Sequence, residues 1–141
     1  MVRINILDPK YLSDQHLVAE YLEIMMLVGY VKKNPGLNRI PEEYCLGEGH
    51  ILFFKNKLKY LEERHEEIKC EMRNRGFKTN VTLEMGEIGN AFKKRWKPSS
   101  SDKQIIKKRL IEKINKKPGF YRYYGKARNG RFWLRMIKNA T

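Results

Sequence analysis

Several features that would place a protein in a common class are missing from this sequence. Only two cysteines occur, Cys45 and Cys70, and they form no CxxC pair, so neither a disulfide framework nor a zinc site is indicated. There is no run of about eighteen apolar residues, so no membrane-spanning helix is expected. The first residues lack the pattern of a secretory signal. We therefore expect the protein in a reducing cytoplasm, or associated with the nucleoid, and not in a membrane.

The sequence motifs of several large enzyme classes are absent as well. There is no Walker loop, no GxSxG and no HExxH. The three histidines, His16, His50 and His65, share no metal-ligand spacing, and the Gly47-Glu48-Gly49 segment lacks the third glycine of a dinucleotide-binding loop. No metal or other cofactor is expected, so any catalysis must use the protein's own groups.

Acidic residues are scarce in the last third of the chain. Residues 91–141 contain seventeen Lys and Arg but only Asp102 and Glu112, whereas residues 1–90 contain thirteen basic and fourteen acidic residues. The formal net charge of +14 therefore comes from the last third alone. Such a one-sided charge favours a polyanion, most often nucleic acid. A solvated basic surface or a ribosome-bound protein is the alternative.

Three stretches have the apolar spacing of helices. They are predicted from 12 or 13 to 33, from just after 49 to about 75, and from 102 to 116. Ser13 or Asp14 is the expected N-cap of the first helix and Ser101 that of the third. The core candidates share this spacing; they are Leu17, Tyr21, Ile24, Val28, Ile51, Phe54, Leu58, Leu61, Ile68, Met72, Ile106, Leu110 and Ile114.

The remaining residues complete an all-α fold. Asn129-Gly130 lies between two aromatic and basic runs and predicts a small hairpin. With 141 residues and no repeat, the chain is the size of one domain. We predict a compact, monomeric single domain over 1–141, with three main helices, an N-terminal arm and an aromatic, basic C-terminal tail.

Glu23 is an unusual residue in the first predicted helix. It stands in the segment Tyr21-Leu22-Glu23-Ile24-Met25-Met26-Leu27-Val28, where every other residue is apolar or aromatic. A carboxylate in such a segment must face water, find a partner or do chemistry. With His16 and Glu20 it occupies positions i, i+4 and i+7 beside the apolar stripe. From its position alone Glu23 is best interpreted as a peripheral helix carboxylate.

The chain's own amino terminus is a candidate nucleophile. Initiator methionine is normally removed when the next residue is small, and Val2 qualifies. An α-amine has a pKa near ~8, against ~10.4 for lysine, so roughly a tenth of it is uncharged at neutral pH. An uncharged amine attacks an electrophilic carbon to give an imine. Every protein has such an amine, however, so the chemistry needs a second indication.

Four blocks in order resemble the phage T4 endonuclease V family, the pyrimidine-dimer DNA glycosylases with AP lyase activity. Each block is weak alone, but together they cover most of residues 2–127. The first contains Arg3-Ile4-Asn5, Asp14-Gln15-His16-Leu17, Ala19-Glu20-Tyr21 and Glu23; the second contains Leu46-Gly47, Gly49-His50, Phe53-Phe54 and Lys57-Leu58; the third contains Arg109-Leu110, Glu112-Lys113-Ile114 and Pro118; the fourth contains Tyr121 and Tyr123-Tyr124-Gly125-Lys126-Ala127.

The resemblance implies an enzyme that acts on double-stranded DNA containing damaged nucleotides. The α-amine of Val2 would attack C1′ of the damaged nucleotide, and Glu23, sheltered by Leu22, Ile24 and Met26, would stabilise the cationic sugar and assist proton removal at C2′. DNA contacts are expected from Arg3, Gln15, His16, Lys33, Arg109, Lys113, Tyr121, Tyr123, Tyr124 and Lys126. For the tyrosines a core position is an equal alternative, and for Arg109 and Lys113 a solvated helix face.

The chain departs from the family pattern at several positions. The family favours Thr where this chain has Val2, which need not matter for a backbone amine. Leu22 and Met26 stand where the family carries arginines, and residues 128–141 form an extension of unassigned role that could supply other contacts. Two alternatives therefore stay open. One is the same lyase chemistry on another damaged base or on abasic sites only; the other is a non-catalytic DNA-binding protein.

Overall fold

A computed structural model describes residues 3–37 and 39–141 of the chain. Within these residues the elements are α1 (Asp14–Lys33), α2 (Gly49–Phe54), α3 (Leu58–Asn74), α4 (Ser100–Lys116), the strands β1 (Arg122–Tyr123) and β2 (Lys126–Ala127), and α5 (Gly130–Lys138). Together with the short 3-10 segments Pro9–Tyr11 and Asn90–Phe92, the helices account for 54% of the structure, and the two short strands form one antiparallel hairpin. The predicted all-α fold class is confirmed.

Helix α1 begins and ends where the sequence predicts. The Ser13 side chain accepts a hydrogen bond from the His16 N–H and so satisfies a donor that the first turn leaves open. Lys32 and Lys33 lie in the last turn, where positive charge is favourable. The predicted apolar stripe of α1 is buried, and it packs mainly against α3.

The prediction of one continuous second helix is wrong, because this stretch forms two helices, α2 and α3. Lys57 has a non-helical backbone with φ of −120° and ψ of 38°. The neighbouring groups pair instead with the loop that follows α3: the Lys94 N–H donates to Asn56, and the Tyr60 N–H donates to Lys94. The chain therefore bends between α2 and α3, since these groups bond to the loop and not along a continuous helix.

The predicted hairpin exists, but its turn is displaced by five residues. Tyr124 and Gly125 form the two-residue turn, with φ of 52° and 79°, as a type I′ turn requires. Asn129 instead caps α5, since its side chain accepts from the Phe132 N–H. The third helix also starts earlier than predicted, behind Ser99, which forms a capping box with Asp102.

The C-terminal extension is part of the fold. Trp133 and Ile137 of α5 are buried, and α5 packs on α4. The Lys107 ammonium of α4 donates to the carbonyl oxygen of Lys138 at the end of α5. None of the described helices is long and apolar enough to cross a membrane.

Candidate active site

The N-terminal arm before α1 is held by side chains and not by a neighbouring strand. The Ile4 N–H donates to His50 Nε2 at 2.9 Å, and the Tyr44 hydroxyl donates to the Ile4 carbonyl at 3.0 Å. The Asn5 N–H donates to Glu20 Oε1 at 2.9 Å. Because Ile4 is fully buried, these bonds satisfy backbone groups that water cannot reach. The arm therefore has one defined path into the domain.

Glu20 and Arg64 form a buried ion pair beneath this arm. Arg64 Nε donates to Glu20 Oε2 at 2.7 Å. The Arg64 side chain is 3% exposed and that of Glu20 is 0% exposed. Arg64 also donates to the Leu7 carbonyl. The sequence spacing predicted that Glu20 and Glu23 share one surface of α1. This prediction is wrong, because Glu20 is fully buried. It is a structural residue that ties the arm to α1 and α3.

His50 is held in a single tautomer by its two partners. The Cys45 carbonyl can only accept, so Nδ1 donates to it at 2.7 Å, and Nε2 must then accept from the Ile4 N–H. Burial lowers the pKa of His50 to about 4, although the Cys45 hydrogen bond opposes this change. The neutral ring is thus the form that holds the arm.

This state of His50 predicts a loss of stability in mild acid. With its pKa lowered in the folded protein, the unfolded chain binds the proton first as the pH falls below 6.5. The stabilisation is complete above pH 6.5 and is lost towards pH 4, at about 1.4 kcal/mol per pH unit. Urea unfolding at pH 7 and pH 5 should therefore show His50→Gln to be less pH-dependent than the wild type. Equal pH dependence, or a His50 ring that titrates at an ordinary pH by NMR, would contradict this assignment.

A cavity of about 260 Å³ lies beside the arm and the first turns of α1. It has a basic lining, because three of its residues are cationic, and we call it the basic cavity. Its lining comprises Arg3, Asn5, Gln15, His16, Ala19, Arg109, Lys113, Phe120 and Tyr121. Six of the predicted DNA-contact residues are thus gathered from the arm, α1, α4 and the segment before the hairpin.

His16 is a neutral member of this basic cavity. Its ring stacks on Tyr121 with centroids 4.7 Å apart, and its Nδ1 lies 2.9 Å from the Ser13 hydroxyl oxygen. Burial lowers the pKa of His16 to about 4, and the charges of Arg109 and Lys113 act in the same direction. An anion in the cavity would therefore meet the three cations Arg3, Arg109 and Lys113 and an uncharged imidazole at neutral pH.

Gln15 and Asp14 anchor the C-terminal aromatic segment to α1. The Gln15 amide donates to the Phe120 carbonyl at 2.8 Å and accepts from the Arg122 N–H at 3.0 Å. The Asp14 carboxylate accepts from the N–H groups of Tyr124 and Gly125. The polar groups of Gln15 are thus already engaged with the backbone, and its first role is to position the cavity wall.

Glu23 lies one helical turn beyond Ala19, which lines the basic cavity. Its side chain is half-buried, and burial raises its pKa, while the charge of Arg3 opposes that rise. The predicted shelter is wrong in part, however. Leu22 and Met26 are 51% and 69% exposed, and only Ile24 is buried, on the core side of α1. The two exposed side chains cannot wall off Glu23, because they stand out from the helix into solvent.

The other predicted site residues lie elsewhere. Lys33 is at the far end of α1, where it lines a second cavity of about 580 Å³ with Arg39 and Lys55. The rings of Tyr123 and Tyr124 pack on the Arg75 guanidinium at 4.7 and 5.0 Å, and their hydroxyls donate to the Lys10 carbonyl and the Glu71 carboxylate. Lys126 is exposed on β2. Val2, the proposed source of the nucleophile, lies outside the described residues.

Asn5 is a cavity residue that was not predicted as part of the site. It is buried, and its Oδ1 atom has no hydrogen-bond partner in the described part of the chain. The sequence does carry a signal for Asn5, because it is the one polar residue in the otherwise apolar run from Ile4 to Leu7. Among residues 3–37 and 39–141, no group of three or more His, Cys, Asp or Glu side chains could hold a metal ion.

The comparison with known families agrees with this geometry. A sequence model described as pyrimidine dimer DNA glycosylase matches residues 1–85. The match includes the arm, Glu23 and the Glu20–Arg64 pair, together with α1, α2 and α3. It covers more than half of the chain. The protein belongs to the pyrimidine dimer DNA glycosylase family.

Proposed function

We propose that this protein is a bifunctional glycosylase and AP lyase that excises pyrimidine dimers and then cuts the strand. Family membership assigns it to the DNA repair glycosylases for pyrimidine dimers. The imine-forming lyase chemistry is supported by one observation: the N-terminal arm lies close both to Glu23 and to the basic cavity. Arg3, the first described residue of the arm, lines the cavity, and its charge acts on Glu23.

The first step uses the α-amine of residue 2 after removal of Met1. Its nitrogen lone pair forms a bond to C1′, and the electrons of the glycosidic bond leave with the base, which takes up a proton. Loss of a proton from nitrogen and opening of the sugar ring give an imine. A half-buried Glu23 carboxylate stabilises the positive charge that develops on the sugar, since water screens it less there.

The second step is a β-elimination that cuts the strand. A proton leaves C2′ with the help of the Glu23 carboxylate, and the C3′–O bond breaks with the 3′ phosphate as leaving group. Hydrolysis of the imine then releases the strand that ends in the unsaturated sugar aldehyde and restores the amine. Arg109 and Lys113 hold the flanking phosphates, and neutral His16 adds a hydrogen-bonding group without charge.

Borohydride trapping tests the chemistry. Reduction of the imine should give a covalent protein–DNA adduct on an abasic duplex and on a dimer-containing duplex, with EDTA present. Tight binding without any adduct would favour a non-catalytic binder. An adduct on the abasic duplex alone would end the dimer claim; Leu22 and Met26, which are exposed and uncharged, are the reason for keeping this alternative.

The basic cavity predicts a defined salt dependence. Arg109 and Lys113 lie on one edge of α4, and each phosphate contact contributes about 0.9 to the slope of log K against log salt. The Arg109→Gln, Lys113→Gln variant should therefore bind duplex DNA with a slope reduced by about 1.8. Fluorescence anisotropy over a salt series measures it.

Lys107 and Lys108 provide the matched control. They lie on the edge of α4 that faces α5, so the Lys107→Gln, Lys108→Gln variant removes the same charge away from the basic cavity. Its slope should change much less. An equal change in both variants would mean that net charge, and not the cavity, governs binding.

A further inference from the structure

A row of large apolar side chains occupies the solvent face of α1. Leu22, Met26 and Tyr30 are spaced at i, i+4 and i+8, and they are 51%, 69% and 37% exposed. This spacing places them on one side of the helix, opposite the buried stripe that includes Ile24 and Val28. Single exposed apolar residues are ordinary, but a contiguous row of three marks a contact surface.

The row continues directly from the candidate active site. Glu23 lies beside Leu22 and Met26, and Ala19, one turn earlier, lines the basic cavity. In the other direction Tyr30 lines the second cavity together with Lys33. A sugar that reaches Glu23 would therefore lie close to Leu22 and Met26.

Cations lie at both ends of the face, and only its middle is apolar. Arg109 and Lys113 lie at the basic cavity, and Lys33, Arg39 and Lys55 lie at the second cavity. From His16 to Lys33 the helix spans about 26 Å, a little more than the width of a duplex. The cations at the two ends of this face can bind phosphates, whereas the apolar side chains in its middle can contact only an uncharged group. In DNA that group is the face of a base.

We propose that Leu22 and Met26 form a wedge that enters the base stack at the damaged step. Excision requires a nucleotide to leave the stack, and apolar side chains inserted between base pairs stabilise the kinked duplex that results. Leu22 and Met26 are the most exposed members of the row and lie next to the reacting carboxylate. The inference rests on the proposed function in one point, which is that the damaged nucleotide binds at Glu23.

An uncleavable duplex isolates this step. It carries a tetrahydrofuran abasic analogue, which cannot form an imine, and 2-aminopurine in the next pair, whose fluorescence rises when it unstacks. The wild type should raise the fluorescence several-fold. Leu22→Ser, Met26→Ser should reduce the rise at least about five-fold and weaken binding at least about ten-fold, because the apolar contact of both side chains with the bases is lost. The salt slope should not change, since no cation is removed.

Leu134→Ser is the matched control. Leu134 is 41% exposed on α5, which packs along α4 on the Lys107 edge and not on the basic-cavity edge. It should retain the wild-type fluorescence rise. A full rise with the Leu22→Ser, Met26→Ser variant, or no rise with the wild type, would overturn the wedge.

The outcomes separate this inference from the proposed chemistry. Glu23→Gln should keep the fluorescence rise while it loses the trapped adduct. A fluorescence rise that depends on Leu22 and Met26, without any adduct in the wild type, would retain the wedge and reject the lyase. If sedimentation shows instead a dimer of the free protein that the Leu22→Ser, Met26→Ser variant dissociates, the row is a self-association surface and the wedge is wrong.

Discussion

Replacing Glu23 by glutamine is expected to reduce strand incision by about a thousand-fold or more, because an amide can neither balance the cationic sugar nor accept the C2′ proton. Glu23 is half-buried and the charge of Arg3 acts on it, so water screens its carboxylate less than that of an exposed residue. Affinity for the uncleavable abasic duplex should not fall, since the phosphate contacts are intact. Single-turnover incision of an abasic duplex and anisotropy with the analogue measure the two quantities.

A conservative variant distinguishes chemistry from packing at this position. Glu23→Asp keeps the charge with a shorter side chain and should incise faster than Glu23→Gln. The free energy of unfolding should be nearly the same in both variants, because the bonds that hold the described part of the arm come from His50, Glu20 and Tyr44. Incision by Glu23→Gln within about ten-fold of the wild type would remove Glu23 from the catalytic step.

The second large effect is expected at Glu20, one turn before Glu23. Glu20→Gln should lower the free energy of unfolding by about 3–5 kcal/mol, since it leaves the buried Arg64 without its counter-charge. It also weakens the acceptor of the Asn5 N–H and thereby loosens the arm. Urea unfolding at neutral pH measures the change.

A double variant tests whether the pair acts as a unit. Arg64→Met alone should be as damaging as Glu20→Gln, because it leaves Glu20 buried and unpaired. Glu20→Leu, Arg64→Met removes both charges and should recover much of the loss, although the Asn5 N–H and the Leu7 carbonyl then lose their partners. Additive losses in the double variant would show that the two side chains are not coupled.

The two glutamates show how far sequence reasoning reaches. Local spacing predicted α1, its cap and its buried stripe, because these depend on residues close together in the chain. The same spacing placed Glu20 and Glu23 together. What separates them is Arg64, which lies 44 positions from Glu20 and meets it only through the packing of α1 on α3. No pattern within α1 contains that information.

The aromatic tail gives a second example. Asn129-Gly130 is a strong hairpin signal, yet Tyr124-Gly125 forms the turn. The turn is selected by long-range bonds, since the Asp14 carboxylate accepts from both of its N–H groups. Tyr121 belongs to the basic cavity, whereas Tyr123 and Tyr124 pack on Arg75. Composition alone could not divide these three tyrosines between site and scaffold.

Mass-spectrometric mapping of the borohydride adduct tests the central claim most directly. After reduction and proteolysis, the deoxyribose fragment should be found on the α-nitrogen of the amino-terminal peptide that begins at Val2. Attachment to the ε-nitrogen of a lysine, or an amino-terminal peptide that still carries Met1 and no sugar, would contradict the proposed mechanism.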